Sequence, residues 1–332
     1  MKPLKFEYTK TDFTYIRFYQ DGKWEEGALK KEDTLTLSLM STALHYGQEA
    51  FEGLKAYMTK DGKINLFRAD ENAKRFKRSC GFLKMPEIDV DDFVEAVKMT
   101  VKANQSFIPP YGSKGSLYIR PFMFGVGDNL GLKPSNAYVF AIIVTPVGPY
   151  FESGLKPVKL MVSAYDRAAP FGTGAYKVGG NYAASLFAQS IAKQKGFADC
   201  IFLDPKTHTK IEEVGAANFF GITKDLCYIT PQSPSILKSI TNMSLQYIAK
   251  NMLNMKVKLA DVYIHELDHL IEAGACGTAA IITPIKSILH HDYLHVFPTK
   301  DDTGVYTQKL YDILTSIQVG DLEDPDGWII NV

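Results

Sequence analysis

Cysteine is scarce in this chain of 332 residues: four stand at positions 80, 200, 227 and 276, with no CxxC pair and no short spacing. That pattern excludes a zinc ribbon and a disulfide scaffold, and it fits a reducing compartment. A surplus of either charge is also lacking, since 37 Lys and Arg face 37 Asp and Glu for a formal net charge of zero. A dedicated nucleic-acid binder normally carries a basic excess to neutralise phosphates, so nucleic acid is not an expected partner. Long hydrophobic runs are missing too. The longest, Ala137 to Val144, is about half of what a membrane-spanning helix needs. Its β-branched and aromatic residues predict a buried strand instead, and no membrane partner. The N-terminus, Met-Lys-Pro-Leu-Lys-Phe-Glu-Tyr, has neither the apolar core of a signal peptide nor the Arg- and Ser-rich, acid-poor character of a transit peptide. A cytoplasmic location is therefore expected.

What is present is ordinary globular composition, 46% hydrophobic and 22% charged, in a chain long enough to bury a large core and to form about two domains. Phe13 to Tyr19 alternates and is followed by Asp21-Gly22, while Leu54 to Met58 and Lys63 to Phe67 flank Asp61-Gly62; both read as hairpins. Asp89 stands where it can cap a helix whose apolar positions Val90, Phe93, Val94, Val97 and Val101 fall on one face. Leu117 to Phe122 and Ala137 to Thr145 read as strands. Prolines and glycines break every period between Thr145 and Pro157, which places a domain junction there, with domains over 1–150 and 151–332. The second half alternates strands (Val158 to Ala164, Cys200 to Leu203, Phe219 to Ile222, Leu226 to Thr230) with helical patterns at Tyr182 to Lys195, Thr241 to Leu253, Asp268 to Ala275 and Tyr306 to Ile317. The fold class is thus mixed α/β.

His265-Glu266-Leu267-Asp268-His269 matches the His-Glu-x-x-His zinc pattern. A charged Asp inside the pattern and the want of a distant third ligand argue against a metal, and the segment reads better as an exposed helix start. Phe171 to Tyr182 places four glycines around Lys177. It is neither a P-loop nor Gly-x-Gly-x-x-Gly. The glycines permit close backbone approach to one lysine, an arrangement that suits covalent chemistry, and Asn181 can cap the helix after it. Taken alone, a solvated loop lysine is the blander reading. Three other segments shift the balance. Glu212-Glu213 lies at a strand end before a turn; Lys238 to Asn242 reads as a helix N-terminus suited to a phosphate; Gly277 to Ala280 can form a second nest of N–H donors. A Schiff-base lysine, an acid for a pyridinium nitrogen and an anion cradle are what pyridoxal phosphate asks of a protein.

The residues at this point resemble the branched-chain amino acid aminotransferases of the class IV pyridoxal-phosphate fold. The likeness runs from His45-Tyr-Gly-Gln-Glu-Ala-Phe-Glu-Gly-Leu-Lys55, through Leu66-Phe-Arg-Ala, Tyr118-Ile-Arg-Pro-Phe and Lys177-Val-Gly-Gly-Asn-Tyr, to Ile317-Gln-Val-Gly and Trp328. The resemblance implies a small N-terminal α/β domain, a larger C-terminal domain that carries the lysine, and pyridoxal 5'-phosphate at their interface. By position, it makes Lys177 the cofactor-binding and proton-shuttling lysine, Glu213 the partner of the pyridine nitrogen and Tyr182 that of the 3'-oxygen. Arg68, Arg167, Ile240, Thr241 and Thr278 would hold the phosphate. For the substrate it implies Tyr46, Phe51, Tyr118 and Tyr182 as an apolar pocket, the Thr278-Ala279 backbone for the α-carboxylate and Arg120 for the distal carboxylate of 2-oxoglutarate. Leu130 and Leu132 would reach a neighbouring subunit, which implies a homodimer. The implied reaction moves the amino group of leucine, isoleucine or valine to 2-oxoglutarate. A D-amino acid aminotransferase and an aminodeoxychorismate lyase are alternatives on the same fold, and a non-catalytic homologue is a third. Two departures stand out. Ala280 and Thr283 occupy the positions of the CxxC centre of some animal members, so thiol switching of that type is not expected. Ala216 replaces the polar residue that many members carry after Glu-x-Gly.

Overall fold

The computed structural model describes residues 4, 6–148, 155–298 and 303–332. In chain order its elements are β1 (Thr14–Gln20), β2 (Lys23–Trp24), β3 (Ala28–Lys30), α1 (Thr42–Tyr46), β4 (Glu49–Phe51), β5 (Leu54–Met58), β6 (Ile64–Phe67), α2 (Ala69–Phe82), α3 (Val90–Ala103), β7 (Ser116–Gly125) and β8 (Tyr138–Val147). They continue with β9 (Val158–Val162), α4 (Gly179–Gln194), β10 (Asp199–Leu203), β11 (Ile211–Val214), β12 (Ala217–Thr223), β13 (Cys227–Thr230), α5 (Ile240–Asn251), β14 (Lys256–Leu259), β15 (Leu270–Gly277), β16 (Ile281–His290), β17 (Tyr293–Val296), α6 (Val305–Val319) and β18 (Ile329–Asn331). Two compact units divide the chain: Met1–Tyr150 with Tyr176–Gly180 and Ile317–Val332, and Phe151–Ala175 with Asn181–Ser316. The junction expected between Thr145 and Pro157 falls largely on residues 149–154, outside the described residues.

The first unit is a sheet in the order β18-β6-β5-β7-β8-β1-β2, with β3 on β1 and β4 on β7. Side chains alternate across a strand, so Leu54 and Ala56 of β5, Leu117 and Ile119 of β7, and Ile142 and Val144 of β8 all enter one core with Phe76 of α2 and Phe93 and Val97 of α3. Each such large side chain contributes roughly 1.5–3 kcal/mol on burial. The same alternation turns Lys55, Tyr118, Arg120, Ile143 and Thr145 to the opposite face. Asp21 and Gly22 both take positive φ, 52° and 79°, and close the β1–β2 hairpin as a two-residue turn. The second hairpin is looser: Thr59 N–H donates to Lys63 O, and only Gly62 of Asp61-Gly62 is left-handed, at 80°.

In the second unit the path β11-β10-β9-β16-β15-β12 returns to β11, so six strands close into a barrel, extended by β13, β14 and β17. Its filling includes Leu160, Ile201, Phe219, Ala273 and Ile285. Closure leaves no edge to those six strands and brings the end of β11, with Glu213, beside β12.

Three local expectations are corrected. Asp268 to Ala275 is not a helix: a short 3-10 turn, Ile264–His269, leads into strand β15. Asp89 occupies the N-cap of α3 but makes no side-chain cap; its carboxylate takes Lys77 at 3.0 Å. Asn181 lies inside α4, which begins at Gly179, and it bonds Thr173 on both sides of its amide instead of capping. Among the described residues no helix is long and apolar enough to cross a membrane.

Candidate active site

Lys177 belongs to the first unit, on a segment held down from both sides. Phe51 N–H donates to Lys177 O (3.0 Å), Lys177 N–H donates to Ser79 Oγ of α2 (3.0 Å), and Val178 bridges to Ala50. Tyr176 stacks on Phe82 with ring centroids 3.9 Å apart. Gly179 lies against the Glu49 carboxylate, which a Cβ at that position would push aside. The Lys177 Nζ sits 4.6 Å from the Phe51 ring centroid.

Glu52 lies beneath this segment, next in sequence to Phe51, and is 0% exposed. Arg75 Nε and Nη2 donate to its two oxygens at 2.7 and 2.8 Å, and Asn72 Nδ2 donates at 2.7 Å. Burial alone would raise this carboxyl. The Arg75 charge and hydrogen bonds, with Lys177 and Asn72 adding to them, hold it below its ordinary value.

On the chemical face of the first sheet, Arg120 Nη2 donates to the Tyr118 hydroxyl at 2.8 Å, and its guanidinium lies 4.7 Å from the Phe51 ring and 5.3 Å from the Tyr118 ring. Aromatic faces and a fixed cation therefore share one surface. Arg120 Nε is buried with no hydrogen-bond partner among the described residues, which fits a donor reserved for a ligand oxygen. Glu49 is also close: burial raises its carboxyl and the Arg120 charge works against that rise. Phe6 meets Tyr118 edge-on at 5.1 Å, and with Tyr118, Arg120, Ile143 and Thr145 it lines a cavity of about 180 Å³. Arg68 takes a left-handed backbone (φ 50°, ψ 41°) at the N-cap of α2, with its guanidinium 5.0 Å from the Trp328 ring. Strain of that kind in a non-glycine residue is common at ligand sites. Tyr46 donates its hydroxyl to Leu130 O at 2.5 Å, while the Leu130 and Leu132 side chains are 73% and 87% exposed.

In the second unit, Glu213 is buried on β11 with its charge met by Arg167 Nε at 3.2 Å, and it accepts from Leu237 N–H at 2.7 Å and Asn218 Nδ2 at 3.3 Å. Arg167, expected at a phosphate, also donates to the carbonyls of Gly174 and Ser235. Asn218 ties the acid to α5, since its Oδ1 accepts from Ser239 N–H and Asn242 Nδ2. Ser239 is the N-cap of α5, with its hydroxyl accepting from Asn242 N–H at 3.2 Å; Ile240 and Thr241 form the first turn, whose amides have no intrahelical partner. Thr278 and Ala279 lie half-buried in the turn between β15 and β16, and Tyr182 is half-buried in the first turns of α4. A buried acid with cationic backing and a helix N-terminus beside it suit a protonated ring nitrogen and a phosphate, so the donor set fits pyridoxal phosphate.

The structure links Lys177, Phe51, Tyr118 and Arg120 in the first unit, and Arg167, Glu213 and the N-terminus of α5 in the second. Sequence reasoning missed Phe6, Asn218, Lys55 and the Glu52–Arg75 pair. Lys55 closes the Phe-Glu-Gly-Leu-Lys motif, and Asn218 follows Glu213 by five residues, so for those two a signal was present. His265 and His269 lie in the 3-10 turn, where the one-turn α-helical spacing of a zinc pair is not formed, and no group of three or more His, Cys, Asp or Glu is gathered to hold a metal among the described residues.

The family model described as Amino-transferase class IV matches residues 49–288. This chain is 55% identical over 334 residues to the branched-chain-amino-acid aminotransferase of Haemophilus influenzae, covering 99% of this chain and 97% of that one. It is 54% identical over 333 residues to the enzyme of the same name from Helicobacter pylori, at 100% and 97% coverage. Among solved structures, the branched-chain amino acid aminotransferase of Escherichia coli superposes with a TM-score of 0.79 at 28% identity, over 96% of this chain and 99% of that one. The fold and the site thus define a class IV aminotransferase of fold type IV. Within that class, the chain belongs to the branched-chain amino acid aminotransferase family.

Proposed function

We propose that the protein transfers the amino group of leucine, isoleucine or valine reversibly to 2-oxoglutarate, using pyridoxal 5'-phosphate. The observation that carries the substrate reading is the Phe51–Arg120–Tyr118 cluster, where apolar ring faces and a guanidinium lie together. Such a surface accepts a branched aliphatic side chain in one half-reaction and a distal carboxylate in the other. The cofactor, when bound, supplies a carbonyl that condenses with amines and a ring that draws electrons from the substrate α-carbon. Lys177 would hold it, and its Nζ would take up and return the proton. Glu213, backed by Arg167, would keep the pyridine nitrogen protonated, and Tyr182 would donate to the 3'-oxygen. Arg68, the Ile240 and Thr241 amides and Thr278 bind the phosphate, with the Thr278-Ala279 backbone taking the substrate α-carboxylate. Arg167 joins them at the phosphate, and it also donates to the Gly174 and Ser235 carbonyls. In this reading the domains span 1–150 and 151–332.

The protein works in the cytoplasm as a homodimer, in which Leu130 and Leu132 reach into the pocket of the second copy. The exposure of both leucines on one polar loop supports this. Leucine with 2-oxoglutarate should give glutamate and the branched oxo acid with ping-pong kinetics. Release of pyruvate from aminodeoxychorismate without an oxo-acid acceptor, or turnover confined to D-amino acids, would replace the reading by one of its alternatives.

A further inference from the structure

We propose that Lys55 is a specificity-determining residue for the amino acceptor: its ammonium adds to Arg120 the positive charge that recognises the distal carboxylate of 2-oxoglutarate or glutamate. The inference rests on the transaminase reading above and extends its substrate site. Lys55 stands directly opposite Tyr118 in the register of β5 with β7, and only 7% of it is exposed. Because Leu54 and Ala56 enter the helix-covered core, Lys55 projects from the other face of the sheet, the one that bears Tyr118 and Arg120. Lysine is rarely buried this deeply, and here burial lowers the ammonium to about 8.

The charge balance of the surface points the same way. Arg120 is the cation that hydrogen-bonds Tyr118, but part of its field falls on Glu49, whose carboxyl it works to keep ionised. Arg120 and Glu49 together offer little net attraction to a second carboxylate. Lys55 adds a second cationic side chain to that face. A leucine side chain brings no charge to the same surface, so the lysine discriminates between the two amino donors rather than serving both.

The test uses the holoenzyme and separates the half-reactions. Lys55→Met keeps the length and volume of the side chain and removes its charge; Lys55→Arg keeps the charge. Lys55→Met should raise KM for glutamate and for 2-oxoglutarate about tenfold and leave leucine within about twofold, and Lys55→Arg should return both toward wild type. Binding of glutarate, a dicarboxylate without an amino or oxo group, should weaken in Lys55→Met by a similar factor when followed by calorimetry. Equal losses for leucine and glutamate, or no loss for either, would overturn the proposal. If Lys55→Met does not fold, Lys55→Gln takes its place in the same comparison. Wild-type protein that fails to transaminate leucine would sink the transaminase reading instead, and the glutarate measurement would still decide the role of Lys55 in carboxylate binding.

Discussion

Glu52 with Arg75 in the first unit and Glu213 with Arg167 in the second are both buried carboxylate–guanidinium pairs, and they are built differently. Arg75 docks side-on, giving Nε to one oxygen of Glu52 and Nη2 to the other, and Asn72 adds a third donor. Arg167 meets Glu213 through one nitrogen at 3.2 Å and shares its guanidinium with the Gly174 and Ser235 carbonyls. The first geometry is that of a structural clamp: it stands beneath the segment that presents Lys177 and fixes α2, whose Ser79 accepts from the Lys177 amide. The second fits an acid held for work on a ligand. Burying a charge is costly in both places, and only the donors around each say what the burial is for.

The largest expected effect would break the first pair. Arg75→Met leaves Glu52 uncompensated and should cost about 3–5 kcal/mol of stability, measured by urea or thermal unfolding. The Glu52 carboxyl is held below its ordinary value in the folded state, so its contribution is present above the ordinary carboxyl range and is lost as pH falls through the folded value. Arg75→Met should therefore show weaker acid destabilisation than wild type. A variant as stable as wild type would remove the clamp from the account. Next in size, Glu213→Gln should lower turnover by about 10² or more while cofactor still binds, the scale expected when a charge facing the reacting group is lost. Turnover within about threefold of wild type would make the two pairs equivalent after all. The smallest effect concerns stability at Lys55. Because burial depresses its ammonium from 10.5 to about 8, the folded state gives up stability at neutral pH, at most about 3 kcal/mol, and regains it as pH rises between those values. Lys55→Met should raise Tm at pH 7 and flatten that alkaline dependence; a fall in Tm would contradict it.

Much of this was legible in the sequence where chemistry and local pattern coincide. The Lys177 loop, the Glu212-Glu213 strand end and the helix start at Lys238 to Asn242 are each carried by neighbours a few residues away, so the one-dimensional text states them. What failed depends on distant partners. Leu270, Ile271 and the alanines of β15 read as a helix because Glu272 looks like a solvent position. In the structure Glu272 is buried, accepting from the Tyr306 and Thr307 amides and the Thr307 hydroxyl at the start of α6. Helix α2 went unread for a related reason: Asn72, Arg75 and Ser79 occupy buried positions beside Ala73 and Phe76, and these polar residues blur the apolar period. Lys55 closes a sequence motif, but nothing nearby reveals that its strand is buried on both faces. In each case the sequence was misleading where a polar group is buried for a partner far along the chain.

The central claim is that the Lys177 amine is the one that captures the cofactor. Purified protein incubated with pyridoxal phosphate, reduced with borohydride and digested should yield a single modified peptide, with the adduct on Lys177. An adduct on Lys55 or any other lysine, or no adduct at all, would contradict the account.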